Sequence, residues 1–242
     1  MKNLIPFPKS QSKWFDFRNA KDESVDLYIY DVVGDSWTGT DASALVKEIA
    51  GYKKKRINAR INSPGGSVFD GVAIFNALKN HDGGVTTYVD GLAASIASII
   101  ALAGERIVIA DNAMMMIHNP SSFSYGEAKD LRKDADVLDQ IKETLINAYT
   151  SKTGKAREEI AGDMDKETWF TASEAKEYGL VTEVAESMKM AACVDESLAE
   201  VFGFRNTPAA VIKAQNTAPT KLSVTPRSLL SCRQALLEKV TT

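Results

Sequence analysis

The chain has 242 residues, of which 44% are hydrophobic and 25% charged, and its net charge is −3 at neutral pH. This length supports one sizeable core with an appendage, and the charge argues against a protein that binds polyanions along its whole length. The two cysteines, Cys193 and Cys232, lack metal-ligand spacing, which is typical of a reducing compartment. No segment is apolar and long enough for a signal peptide or a bilayer span, so the sequence predicts a soluble, cytoplasmic protein.

Strand and helix patterns alternate along most of the chain, after a polar arm at residues 1–22. Alternating apolar positions predict a strand over 25–33, and further strands are predicted over 56–61, 85–89, 106–110, 114–117 and 180–184. Apolar spacing of three and four residues predicts helices over 41–50, 68–78 and 126–151, and an apolar run predicts a helix over 95–104. Capping boxes are predicted at Ser124/Glu127 and Thr171/Glu174. This alternation indicates an α/β fold with a largely parallel sheet.

The composition changes after about residue 188, which divides the chain into an arm (1–22), a main domain (23–188) and a tail (189–242). Residues 203–242 hold six basic residues against one acid, Glu238. Prolines among Thr, Ala and Asn predict a flexible linker over 203–228. A short basic helix is predicted to follow it, with Pro226 at the first helical position.

Ser95 is the first candidate for chemistry, because it follows a strand and a glycine-containing turn and opens an apolar helix. Free backbone N–H groups point outward at a helix N-terminus. The N–H of Ile96 is therefore placed to stabilise an oxyanion that forms at Ser95. The alternative interpretation is that Ser95 only caps the helix.

His118 is the second candidate, since it ends the apolar strand AMMMI and the chain has only two histidines. A base at a strand end lies at the same sheet edge as a nucleophile that opens the next helix. A strand-end histidine bonded to backbone is the alternative. His81 lies in the turn KNHDGG, where a solvated histidine at a helix end is the simpler interpretation.

The segment NSPGGS, residues 62–67, follows a strand with two adjacent glycines. Such a pair lets backbone approach a ligand closely and leaves N–H groups free. A phosphate loop and a plain turn are the alternatives, although the lysine of a phosphate loop is missing. An acid that orients His118 could come from Asp163, Asp165 or Glu167, and composition does not choose among them.

Four segments in order resemble the Clp-type serine proteases: SPGGSVFDGVAIFNAL, DGLAASIAS, MMMIHNP and ETWFTASEAKEYGLV. More specifically, they resemble the ClpP-related head-maturation proteases of phages and prophages. The resemblance covers about residues 25–185. It implies the ClpP/crotonase-like fold, an α/β spiral of βαβ units with a long helix after the strand that bears the histidine.

The resemblance also implies the roles of the site residues. Ser95 corresponds to the nucleophile, His118 to the general base, and Gly66 and Ile96 to the oxyanion-hole donors. An ungapped alignment places Glu167 where the family has its third triad residue, an aspartate, with Asp165 as the alternative. Peptide substrates are expected to bind along Gly65, Ser67 and Asn119.

The expected function is a serine endopeptidase that needs no metal or cofactor and processes scaffold or capsid proteins in the host cytoplasm. The resemblance implies a homo-oligomeric ring, such as a double heptamer. Residues 1–22 do not resemble the axial loops of unfoldase-dependent members, which argues against an ATPase partner; no nucleic-acid or membrane partner is expected. Alternatives are a general ClpP-like subunit that works with an unfoldase, a non-catalytic ring or scaffold component, and a crotonase-type acyl-CoA enzyme.

Overall fold

The computed structural model describes residues 14–20, 24–34, 42–187, 194–195, 199–200, 202–209 and 211–213. Its strands are β1 (Phe15–Asn19), β2 (Val25–Ile29), β3 (Ile57–Ser63), β4 (Val85–Ala94), β5 (Arg106–Ala110), β6 (Met114–Ile117), β7 (Thr168–Thr171), β8 (Glu183–Ala185), β9 (Val194–Asp195) and β10 (Ile212–Lys213). Its helices are α1 (Ala42–Gly51), α2 (Val68–Lys79), α3 (Ile96–Ala101), α4 (Ala128–Thr153), α5 (Arg157–Asp165) and α6 (Ala172–Tyr178).

An eight-stranded sheet forms the centre of the fold, with its main path in the order β1-β2-β3-β4-β5-β8. Strands β2, β3, β4, β5 and β8 run parallel along this path, and β1 is antiparallel to β2. Strand β6 pairs in parallel with β4 and antiparallel with β7. The predicted α/β class with a largely parallel sheet is therefore confirmed.

Strand β4 is longer than predicted, because residues 90–94 continue it instead of forming a turn. Its first half, Thr86–Val89, pairs with β5, and its second half, Leu92–Ala94, pairs with β6. The pairing with β6 supplies hydrogen-bond partners that local turn signals cannot anticipate. As a result, the end of β4 and the end of β6 lie side by side.

The predicted capping boxes have different outcomes. Thr171 caps α6 and exchanges hydrogen bonds with Glu174, as predicted. The prediction for α4 was wrong by one turn: Glu127 is the N-cap residue and Asp130 completes the box. A carboxylate accepts from a free N–H as well as a hydroxyl does, so either residue type can cap.

Two segments outside the predicted main domain pack against it. Residues 15–19, part of the predicted arm, form β1, and Trp14 and Phe15 are buried. Near the other end, Val194 and Val211 join a second apolar cluster with Met116, beside the short β9–β10 pair. Part of the segment predicted to be flexible is thus packed, whereas residues 214–242, with the predicted basic helix, lie outside the described residues. Within the described part of the chain, the helices are too short or too polar to cross a membrane.

Candidate active site

Ser95 lies between the end of β4 and the start of α3 in an unusual backbone conformation, with φ 55° and ψ −131°. Its N–H donates to the Met116 carbonyl at 3.0 Å, which ties this position to β6. The Ser95 side chain makes no capping hydrogen bond to the helix. The hydroxyl is instead directed at a histidine, so the simple capping interpretation does not describe this serine.

His118 directly follows β6, and its Nε2 lies 2.7 Å from Ser95 Oγ. The parallel pairing of β4 with β6 brings these two strand ends together. Burial lowers the pKa of His118 below its ordinary value, and the negative charge of Glu167 partly offsets this effect. A half-buried imidazole with a lowered pKa is neutral at pH 7 and can accept the proton of the hydroxyl.

Gly65 and Gly66 follow β3 with φ values of 104° and 151°, which L side chains rarely adopt. A Cβ on Gly65 would come 2.7 Å from the Ser95 Cβ, and one on Gly66 would come 2.1 Å from the Val33 carbonyl oxygen. In the part of the chain that the structure describes, neither the Gly66 N–H nor the Ile96 N–H has an acceptor. Two free donors therefore flank the serine, as an oxyanion site requires.

Glu167 is a buried acid whose charge acts on His118, and its backbone has a left-handed φ of 54°. Its carboxylate accepts three hydrogen bonds, from Trp169 Nε1 at 3.1 Å, Arg205 N at 2.7 Å and Asn206 N at 2.8 Å. Among the described residues, no hydrogen bond joins this carboxylate to His118. Glu167 reaches the histidine through its charge.

The other candidate acids are directed elsewhere. Asp165 is exposed and accepts from Asn119 Nδ2 at 2.7 Å and Lys142 Nζ at 2.5 Å. These two donors, Asn119 first, lower the pKa of the Asp165 carboxyl. Asp163 accepts from the Tyr178 hydroxyl at 2.6 Å. The structure thus brings Glu167, and neither aspartate, into electrostatic contact with the histidine.

A groove of about 470 Å³ begins at Gly66 and Ser67. Its walls are the start of α2, the loop 120–124 and α4, and the side chains there include Val68, Phe69, Phe123, Val137, Leu138 and Ile141. Asn119 is anchored by Asp165 just before this loop, and its Oδ1 is buried without a partner in the described structure. Asp134 and four serines share the lining, and the groove reaches the candidate site at Gly66. A cleft with apolar and polar walls is suited to a substrate side chain.

Sequence reasoning missed the residues that approach the site from the C-terminal segment. The Phe204 ring meets the His118 ring edge-on, with 5.5 Å between centroids. The backbone N–H groups of Arg205 and Asn206 bind Glu167. The only signal in the sequence was the aromatic run VFGFRN, residues 201–206, at the start of an otherwise polar tail.

A hydroxyl bonded to a neutral imidazole, with free N–H donors beside it, has the arrangement of a serine hydrolase on an α/β sheet. Comparison with known proteins narrows this class, because the sequence model of the family described as Clp protease matches residues 9–188. That span is well over half of the chain. The chain belongs to the Clp protease family.

Individual relatives agree with this assignment. The protein named ATP-dependent Clp protease proteolytic subunit 3 of Rhodococcus jostii (strain RHA1) is 38% identical over 158 residues, which are 64% of this chain and 78% of the relative. A proteolytic subunit of the ATP-dependent Clp protease from Chlorella vulgaris is 31% identical over 190 residues, covering 76% and 94% of the two chains. A solved ClpP1 mutant from Listeria monocytogenes superposes with a TM-score of 0.59 at 26% identity, over 67% of this chain and 91% of that one. The predicted ClpP-like fold is confirmed.

Proposed function

We propose that this chain is a serine endopeptidase in which Ser95 is the nucleophile and His118 the general base. The distance of 2.7 Å between His118 Nε2 and Ser95 Oγ carries the proposal. His118 takes the hydroxyl proton as Ser95 attacks a peptide carbonyl, and later gives that proton to the leaving amine. Membership of the Clp protease family supports the same chemistry.

The N–H groups of Gly66 and Ile96 are proposed to bind the oxyanion of the tetrahedral intermediate. Each such donor contributes about 3 kcal/mol in comparable sites. Glu167 is proposed as the third member of the triad, in preference to Asp165, because its charge acts on His118. Water then hydrolyses the acyl-enzyme, and none of these steps requires a metal or a cofactor.

Peptide substrates are proposed to lie along Gly65, Ser67 and Asn119, with the side chain before the scissile bond in the groove that begins at Gly66. The backbone N–H and carbonyl of Ser67 are already bonded to Val33 and Gly71, so the proposed contact at Ser67 is with its side chain. The Asn119 Oδ1, which has no partner in the described structure, can accept from a peptide N–H. The apolar walls of the groove favour a hydrophobic side chain at that position.

Covalent labelling tests the proposed nucleophile. A fluorophosphonate probe should label the wild-type chain at Ser95, and Ser95→Ala should lose both labelling and peptide cleavage. Ser151→Ala, at an exposed position on α4, is the matched control and should behave as wild type. Unchanged peptide turnover by Ser95→Ala would overturn the assignment of the nucleophile. A wild-type chain that is neither labelled nor able to cleave peptides would instead leave a fold-sharing acyl-CoA enzyme or a non-catalytic ring component.

For the biological role, we propose the processing of scaffold or capsid proteins during phage head assembly, in the cytoplasm of the host cell. The resemblance of the four motifs to head-maturation proteases supports it. The alternative is a proteolytic subunit that works with an unfoldase, as the names of the relatives imply for those proteins. Incubation of wild type and Ser95→Ala with candidate capsid proteins, with cleavage sites read by mass spectrometry, distinguishes the two roles.

A further inference from the structure

Residues 202–206 form a short turn beside the candidate active site, and we call them the C-terminal clamp. They lie beyond residue 188, where the match to the family model ends. Phe204 is the centre of the clamp: its ring meets His118 at 5.5 Å and Trp169 at 5.9 Å, and Phe202 stacks on it at 5.8 Å. The clamp therefore covers one side of the proposed general base.

The clamp also donates hydrogen bonds to the Glu167 carboxylate. Two of the three donors to this carboxylate are clamp N–H groups, those of Arg205 at 2.7 Å and Asn206 at 2.8 Å. Asn206 adds a second anchor, because its Nδ2 donates to the Lys166 carbonyl at 2.6 Å. The third donor is Nε1 of Trp169, whose ring meets the Phe204 ring edge-on.

Glu167 is only 7% exposed as a residue, and a charged group buried to this extent requires such donors. Burying a charged group without hydrogen bonds is costly, and an unsupported carboxylate turns toward water or takes up a proton. Glu167 has no hydrogen bond to His118 in the described structure that could hold it in place. The clamp N–H groups are thus what keeps a negative charge beside the histidine.

We propose that the C-terminal clamp is a positioning element of the catalytic centre, which fixes the Glu167 carboxylate so that it acts on His118 by charge and not by a hydrogen bond. This inference rests on the proposed function, because it assigns a role relative to the proposed base. Arg205 and Asn206 act on the histidine through Glu167, which binds their N–H groups. The tail of this chain is then a working part of the enzyme, at least as far as residue 206.

Two substitutions at one position separate the backbone donor from the side chain. Arg205→Pro removes the N–H that binds Glu167, whereas Arg205→Ala keeps that N–H and removes only an exposed guanidinium. In the full-length protein, kcat/KM for a peptide and the rate of Ser95 labelling are measured from about pH 4.5 to 8. Arg205→Ala should stay within about twofold of wild type, and Arg205→Pro should lose about tenfold.

The pH profile distinguishes positioning from a general loss of structure. Glu167 is the charged group that acts on His118 among the described residues, since Lys142 is paired with Asp165 and the side chains of Lys166 and Arg205 are exposed. Displacing its negative charge destabilises the imidazolium, so the acid limb of Arg205→Pro should move to lower pH, as it should in Glu167→Gln. A mere loss of folded protein lowers the rate without moving the limb.

Asn206→Ala provides a milder second variant, because it removes only the anchor to Lys166 and keeps both N–H donors. Asn206→Ala should move the acid limb of the pH profile to lower pH, by less than Arg205→Pro does. If Arg205→Pro does not fold, the position of the acid limb in Asn206→Ala tests the proposed role of the clamp. Rates and limbs equal to those of wild type in the folded variants would overturn the clamp and leave the peptidase proposal standing. Absence of Ser95 labelling in the wild-type protein would instead overturn the peptidase proposal itself.

Discussion

Two residues of the candidate site, Ser95 and Glu167, have left-handed backbone conformations without being glycine. Each such conformation costs about 1–3 kcal/mol and persists only where the surroundings impose it. For Ser95 the surroundings are visible: its N–H is bound by Met116, and its carbonyl accepts from both the N–H and the hydroxyl of Ser98. The backbone is therefore fixed independently of the bond between the serine and His118, which presents the hydroxyl in a preorganised position.

The pH dependence of activity follows from the surroundings of His118. The base must be neutral to accept a proton, so the rate falls as pH drops through its pKa. Burial lowers that pKa, and we expect the acid limb of kcat/KM below the ordinary value of 6.5. Glu167→Gln removes the charge that favours the imidazolium, so the limb should move to still lower pH and the plateau should fall by about tenfold or more.

Asp165→Asn is the matched control for this pH prediction. It removes the charge of an exposed acid that binds Asn119 and Lys142, and it should leave the limb where it is in the wild-type protein. A limb that moves in Asp165→Asn but not in Glu167→Gln would reverse the assignment of the third acid.

Gly66→Ala tests the oxyanion site without touching the serine or the histidine. The new methyl group would meet the Val33 carbonyl oxygen at 2.1 Å, so the backbone must shift and the Gly66 N–H moves with it. We expect kcat to fall by about 10²–10³-fold, as for other lost oxyanion donors, with a smaller effect on KM. Gly162→Ala, on α5 with open space around it, should keep the wild-type kcat. Equal kcat values for the two variants would remove Gly66 from the mechanism.

At the scale of elements, the sequence could predict the strands, helices and caps that depend on residues close together in the chain. Apolar periodicity located β3, α2 and α3, and the Thr171 capping box is correct because both partners lie within one turn. The continuation of β4 through residues 90–94 could not be predicted, since it depends on pairing with Met114–Met116, and each pair is 22 residues apart in sequence. That pairing brings Ser95 and His118 together at the ends of their strands. The order of the motifs could be recognised in the sequence, but the contact of 2.7 Å between Ser95 Oγ and His118 Nε2 could not be predicted from it.

The groove between α4 and the loop 120–124 should determine the preferred substrate side chain. Leu138→Glu places a charge on an apolar wall, so KM for a peptide with a hydrophobic residue before the scissile bond should rise about tenfold. The reaction of Ser95 with a small fluorophosphonate should stay within about twofold, because that probe needs no side-chain groove. Gln140→Glu adds the same charge at an exposed position outside the groove and serves as the control. An unchanged KM in Leu138→Glu would place the substrate elsewhere.

At the scale of the molecule, composition failed to predict ordered structure near the two ends of the chain. Residues 15–19 look like part of a polar arm, but they extend the sheet as β1. The aromatic Phe204 lies in a segment rich in Pro, Thr and Asn, yet it packs on His118. A short apolar cluster gains its stability from a partner surface that is distant in sequence, so window-averaged composition underestimates it. For this reason the packing of the clamp on the candidate site could not be predicted from composition.

The exposed apolar residues near the start of α4 lead to a prediction about assembly. In a single chain Tyr125 and Leu131 are 71% and 43% exposed, beside the groove residue Phe123, and together they leave a large apolar surface in water. The ClpP family normally forms homo-oligomeric rings, so we expect a second copy of the chain to cover this face. Native mass spectrometry should therefore find an oligomer, and a double heptamer would have fourteen times the mass of the 26.3 kDa chain.

Charge introduced into that face should weaken the assembly. The double variant Tyr125→Asp with Leu131→Asp alters exposed apolar positions outside the groove, and it should shift the mass toward single rings or monomers. Ser151→Asp with Ser173→Asp adds the same charge at exposed polar positions and should keep the wild-type mass. A wild-type chain that stays monomeric, or an unchanged mass in the first variant, would show that this face is not the contact between copies.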